Sequence, residues 1–171
     1  MKLLVAIAPE RYRDEELDEP IAAFKKGGIG FDIASTKTGT CKGMLGGTAH
    51  ASLSFEQAGP SQYAGLVIIG GAGSPPHLWG NKDLIQLAGS FYQQKKIVAA
   101  ICLSPVVLAR AGLLKGKKAT FFKTPDSFAE MNAGGAIISE APVVIDIPVI
   151  TANGPAAATA FGEAIVARLK P

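Results

Sequence analysis

Three runs of nearly uninterrupted apolar residues, Leu3–Ala8 (LLVAIA), Gly65–Gly73 (GLVIIGGAG) and Ile97–Ile101 (IVAAI), each stop at a turn, and segments of helical spacing separate them. A strand without a polar face must be covered on both sides, so these runs read as central strands of a parallel sheet. Between them, Leu17, Ile21 and Phe24 share one face of a helix predicted over Asp14–Lys26, which Gly27-Gly28 ends. Leu84, Leu87, Ala88 and Phe91 mark a second helix over Lys82–Gln94, and Phe161, Ile165 and Leu169 a third over Ala156–Leu169. The expected fold is α/β, a mostly parallel sheet with helices on both faces. With 171 residues, 48% of them apolar, the whole chain 1–171 is expected to form a single domain around its own core.

The remaining segments are less regular. IGFDIAS reads as a strand, and Thr36–Ser52, rich in Gly and Thr, as a hairpin or irregular excursion. KATFF is a short strand, Asp126–Asn132 a short helix capped by Ser127 or Asp126, and PVVID with PVITANG either a hairpin pair or a strand with an offset edge.

Several function classes fall away on composition. Net charge is only +3, and the one tight basic group, Lys115, Lys117 and Lys118, has no aromatic platform beside it, so it reads as a loop rim and no specific nucleic-acid partner is expected. Cys41 and Cys102 form neither a CxxC pair nor, with only His50 and His77 to join them, a zinc set; no metal or other cofactor is expected. The N-terminal apolar run is too short for a signal peptide, and none approaches the roughly 20 residues that span a bilayer. A cytoplasmic, reducing setting without membrane contact is the expectation.

Ligand sites in parallel sheets lie beyond the carboxyl ends of the strands. Three such ends stand out: Ala8–Glu16, Gly70–Gly73 and Cys102. Around Cys102 the pattern Ala-x-Cys-x-Ser puts small Ala100 and Ser104 two residues to either side, as a tight strand-turn-helix elbow requires. That geometry would aim the sulfur at the N-terminus of a helix opened by Pro105, where free N–H groups favour an anion, and the thiol pKa is expected to fall. Those N–H groups, with one from Gly70-Gly71, could form an oxyanion hole. On pattern alone Cys102 is equally a small hydrophobe filling the strand–helix gap, and Glu16 a solvated first-turn carboxylate.

The segments AAICLSP (Ala99–Pro105), VIIGGAG (Val67–Gly73) and ITANGP (Ile150–Pro155) resemble the signature segments of the ThiJ/PfpI family, whose fold is akin to class I glutamine amidotransferases. A fourth match, EELDEPIAAFKKGGI (Glu15–Ile29), carries the family's glutamate at Glu16, a few residues before the helix-opening proline Pro20. The resemblance implies a flavodoxin-like three-layer α/β/α sandwich, usually dimeric, in which Cys102 is the nucleophile. It further implies that Glu16, protonated, donates a hydrogen bond to the thiolate, and that Gly71 and Leu103 supply backbone N–H groups to the oxyanion hole. Gly70 and Ser104 would sit at the pocket, and Asn153 would take at most a supporting part.

The chain departs from that pattern at its histidines. Where protease-like members carry His after the cysteine stands Leu103, and where other branches keep one later stands Phe122. His77 follows the glycine turn within reach of the pocket, surface placement being the plainer expectation; Trp79 either lines the pocket mouth or packs at the start of the Lys82–Gln94 helix. Cys41 is expected to be peripheral. Without a histidine, peptidase activity is disfavoured, since an amine leaving group needs an acid. Attack on a small electrophile asks for less. The expected roles are glyoxalase- or deglycase-like chemistry, or a response to oxidation at Cys102, with a small electrophile or peroxide as partner and a homodimer or higher homo-oligomer as the assembly.

Overall fold

A computed structural model describes residues 1–170; Pro171, the last residue of the expected domain, lies outside them. In chain order the elements are β1 (Lys2–Ala6), β2 (Glu10–Tyr12), α1 (Asp14–Lys26), β3 (Gly30–Ser35), β4 (Gly39–Gly43), β5 (Thr48–Ala51), β6 (Leu53–Ser54), β7 (Gly65–Ile68), α2 (Ser74–His77) and α3 (Lys82–Gln93). There follow β8 (Ile97–Ile101), α4 (Pro105–Arg110), β9 (Lys118–Ala119), α5 (Pro125–Ala133), β10 (Ile137–Ile138), β11 (Val143–Asp146), β12 (Val149–Ala152) and α6 (Ala158–Leu169). Seven strands make the central sheet in the order β11-β12-β8-β7-β1-β3-β6. Every neighbouring pair in it is parallel except β11 with β12.

Side-chain alternation explains why the central runs are apolar throughout. Along β1 and the two residues after it, Leu3, Val5 and Ile7 enter one core, while Leu4, Ala6 and Ala8 enter the other. β8 divides the same way, Ile97, Ala99 and Ile101 against Val98 and Ala100. One core is closed by α1 and α6 through Leu17, Phe24, Phe161 and Ile165; the other by α3, α4 and α5 through Phe91, Val107 and Met131. The result is three layers, with both faces of the sheet removed from water.

Some local expectations are corrected. Pro20 lies inside α1 rather than at its opening, and there Gly162 of α6 comes so close that a Cβ on it would stand 2.7 Å from the Pro20 Cα. KATFF pairs as a strand only at Lys118–Ala119, because the Thr120 N–H turns to the Thr151 hydroxyl and the Phe122 N–H to the Cys102 carbonyl. Helix α5 starts at Pro125 with Thr124 as its cap: the Thr124 hydroxyl accepts the Ser127 N–H and the Ser127 hydroxyl accepts the Thr124 N–H, a closed capping box. The Thr36–Ser52 excursion is a hairpin, β4 against β5, which β2 joins as a second, three-stranded sheet. No helix among the described residues is long and apolar enough to cross a membrane.

Candidate active site

Cys102 is the turn between β8 and α4. Its φ is +66°, a left-handed conformation uncommon for a residue with a side chain, and several anchors hold it there. The Cys102 N–H donates to the Ala152 carbonyl at the end of β12, and its carbonyl accepts from Phe122. The Trp79 indole N–H donates to the Leu103 carbonyl at 2.8 Å, with the Arg110 guanidinium 5.7 Å from the ring centroid. Trp79 is therefore buried packing that fixes the elbow. Ser104 lies underneath rather than in the pocket: fully buried, its hydroxyl donates to the Ile69 carbonyl at 2.6 Å and meets the Ser74 hydroxyl at 2.9 Å.

Glu16, in the first turn of α1, is fully buried. The turn after β7 brings it to the elbow. A Cβ on Gly70 would stand 2.6 Å from the Cys102 Cβ and 2.7 Å from Glu16 Oε1, so the missing side chain is what lets carboxyl and cysteine meet. The Arg13 N–H donates to the Gly70 carbonyl and ties the start of α1 to that turn. Gly71, at φ +112°, packs on the Arg11–Arg13 backbone with no room for a Cβ. Cys102, Glu16, Gly70, Gly71 and Leu103 thus converge.

Burial dominates the electrostatics. It lifts the Glu16 pKa to about 8; the Cys102 sulfur, the Arg13 guanidinium and the Gly70 N–H pull it back only in part. Neither carboxyl oxygen has a hydrogen-bond partner of strict geometry, so the sulfur and the Gly70 N–H act as loose contacts. The expected fall in the Cys102 pKa is reversed: burial first, then the Glu16 carboxylate, push the thiol up, and the Gly71 and Leu103 N–H groups recover less than burial costs. Helix α4 has only six residues, and its first turn offers few free N–H groups, since Pro105 has none and the Val107 N–H already bonds the Ser104 carbonyl. The two groups titrate as a pair, and the Glu16 carboxylate, once formed, holds the Cys102 thiol protonated.

The Glu16 shift has a sign for stability. An ordinary glutamate ionises at 4.5, the folded one at about 8. Between these values the unfolded chain has lost a proton that the native chain still holds, so stability falls as pH rises through the window. Urea titrations from about pH 5 to pH 8 should show a steeper decline for the wild type than for Glu16→Gln, and parallel curves would contradict the raised value.

Two other candidate positions line cavities, Asn153 immediately after the Ala152 that anchors the elbow. His77, in α2, lines a separate cavity of about 420 Å³ with Pro9, Lys37 and Lys42. Asn153 borders another, of about 340 Å³, beside Phe122 and Ser139. Cys41, expected to be peripheral, is buried on β4, and burial raises its pKa. Among the described residues no three of the His, Cys, Asp and Glu side chains gather as a metal site. Sequence reading missed Trp79 and Arg13 as supports of the elbow; the only hint was their place beside the two site segments.

Residues 1–168 match the model of the DJ-1/PfpI family. An uncharacterized protein of Methanocaldococcus jannaschii is 48% identical over 161 residues, 94% of this chain and 78% of that protein. A Pyrococcus horikoshii protein named a deglycase is 32% identical over 170 residues, covering 99% of this chain and all of that one. Among solved structures, a ThiJ/PfpI domain protein from Brachyspira murdochii superposes with a TM-score of 0.94 at 30% identity, over 98% of this chain and 95% of that one.

Proposed function

This chain belongs to the DJ-1/PfpI family, and from that premise we propose that it is a Cys102-dependent enzyme acting on small aldehydes such as methylglyoxal and their adducts. One observation carries the reading: a cysteine held at φ +66° beside a fully buried glutamic acid whose pKa is about 8. Strained backbone and a shifted pKa at one point are the marks of a reacting centre. Relatives named deglycases support the same direction.

One proton serves the pair. As the C–S bond forms at the aldehyde carbon, the Glu16 carboxylate takes the thiol proton and passes it to the former carbonyl oxygen, giving a neutral hemithioacetal. The Gly71 and Leu103 N–H groups offset the charge that passes through sulfur and oxygen. For methylglyoxal the overall change is addition of water with a hydrogen moved from the aldehyde carbon to the ketone carbon, so that the first is oxidised as the second is reduced and lactate forms without an outside oxidant. Peptide cleavage is the poorer reading, because Leu103 beside the sulfur has no proton to move and His77 lines another cavity.

A second reading rests on the same geometry: peroxide oxidises Cys102 to sulfinate, which the Glu16 O–H and the turn N–H groups would hold. Graded peroxide followed by mass spectrometry separates it, since it requires two added oxygens on the Cys102 peptide and none on that of buried Cys41.

The enzymatic reading is tested by lactate formation from methylglyoxal. If the singly ionised pair is the active form, kcat/KM rises with pH and levels off at about 8. Glu16→Gln should lower it by about 100-fold and abolish that rise. No lactate from the wild type, or an unchanged profile in Glu16→Gln, overturns the proposal.

A further inference from the structure

The tip of the β4–β5 hairpin folds back onto the turn that faces the sulfur. Asp14, nearly buried, holds it with both oxygens: Oδ2 accepts the Leu45 N–H and Oδ1 the Gly47 N–H, each at 2.8 Å. Gly43 has no side chain to spare there, since a Cβ would stand 2.6 Å from the Asp14 Cγ. Between the two clasped segments, the Met44 N–H donates to the Tyr12 carbonyl at 2.8 Å, and the Met44 Sδ accepts the Ala72 N–H at 3.3 Å. Tyr12 and Ala72 enclose Gly71, whose absent Cβ would meet the Tyr12 carbonyl carbon at 2.8 Å. Met44 is therefore tied by backbone and sulfur to the two segments around Gly71, the residue whose N–H faces the Cys102 sulfur, yet remains 40% exposed. A large apolar side chain in solvent, fixed at two points beside a reacting group, is a rim and not a core residue.

We propose that Met44, held by the Asp14 clasp, is a specificity-determining residue that walls the mouth of the Cys102 site and limits the size of electrophile reaching the sulfur. The role deepens the reading above and rests on Cys102 being the reacting atom. A thioether is a weak acceptor, so its bond to Ala72 orients the side chain without locking it. Asp14 supplies the firmer restraint, two charge-assisted bonds from one carboxylate. An asparagine there could accept only one of them and would turn an NH₂ group toward the other N–H.

The test compares the rates at which N-ethylmaleimide and iodoacetamide alkylate Cys102 in the whole protein, followed by peptide mass spectrometry. Removing the Met44 side chain beyond Cβ in Met44→Ala should raise the maleimide-to-iodoacetamide ratio by about fivefold or more, and Met44→Leu should stay near the wild type. Asp14→Asn should move the ratio the same way; should it not fold, Met44→Ala, a change at a rim position, carries the test. A ratio in Met44→Ala within about twofold of the wild type overturns the role. Alkylation needs no turnover, so the two readings fail separately. Lactate formation with an unmoved ratio removes Met44 alone, whereas a moved ratio without lactate removes the enzymatic reading and leaves the rim.

Discussion

On the proposed chemistry, Cys102→Ala is expected to fold as the wild type does and to form lactate from methylglyoxal at least about 1,000-fold more slowly. The fold should survive because the elbow is held by its peptide groups: Cys102 N–H to Ala152, Phe122 N–H to the Cys102 carbonyl, and the Trp79 indole to the Leu103 carbonyl. Alanine accepts the same left-handed backbone at much the same cost as cysteine. What disappears is the sulfur beside Glu16. Cys41→Ala is the control, because Cys41 is buried on β4 in the second sheet; it should shift Tm through lost packing while leaving the rate within about twofold. Thermal melts and lactate assays on the two variants decide the matter. A Cys102→Ala protein retaining a tenth of the wild-type rate would mean that another group does the chemistry.

Gly73→Ala should lose about 3 kcal/mol or more of stability, enough to leave little folded protein at 37 °C. The backbone at Gly73 is ordinary in φ, so the cause is contact alone. A Cβ would fall onto the Glu10 carbonyl oxygen and stand 2.9 Å from the Ala8 Cβ. Neither side can yield, because the Gly73 N–H bonds the Arg11 carbonyl and the Arg13 N–H bonds the Gly70 carbonyl. The two strand-end segments are stitched together at the point where the methyl would enter. Gly89→Ala provides the contrast: in α3 its Cβ meets nothing within 4 Å, and the change should stabilise by about 0.5–1 kcal/mol. Urea unfolding of both variants reads the difference directly. Equal midpoints would show that the Glu10–Arg13 segment is far more compliant than its hydrogen bonds imply.

The layers of the fold were legible in the sequence for a physical reason. A strand covered on both faces has nowhere to put a polar residue, so LLVAIA and IVAAI declare themselves, and α1, α3 and α6 show their apolar stripes at helical spacing. Short elements read less well. KATFF has strand composition, yet pairs at only two residues because Thr120 and Phe122 give their N–H groups to Thr151 and Cys102, partners about 20 to 30 positions away. The α5 cap was misread by two to three residues, since Thr124, Asp126 and Ser127 are all capping residue types and only the bonds themselves distinguish them.

The site divides along the same line. Small residues around Cys102 and the glycines at 70 and 71 are local requirements of tight turns, so the sequence by itself determined where the elbow and its facing turn would be. The titration of the pair was decided only by tertiary structure. Helix-end N–H groups near a thiol predict an acidic sulfur, but folding also strips water from both Cys102 and Glu16, and that loss is the larger effect. Asp14 makes the same point: in sequence it is one of three acidic residues opening a helix, and in the fold its two oxygens hold the Leu45 and Gly47 N–H groups at the tip of a hairpin more than 30 positions away. Turn geometry is written in neighbouring residues, whereas desolvation and long-range contact depend on everything that packs around a group.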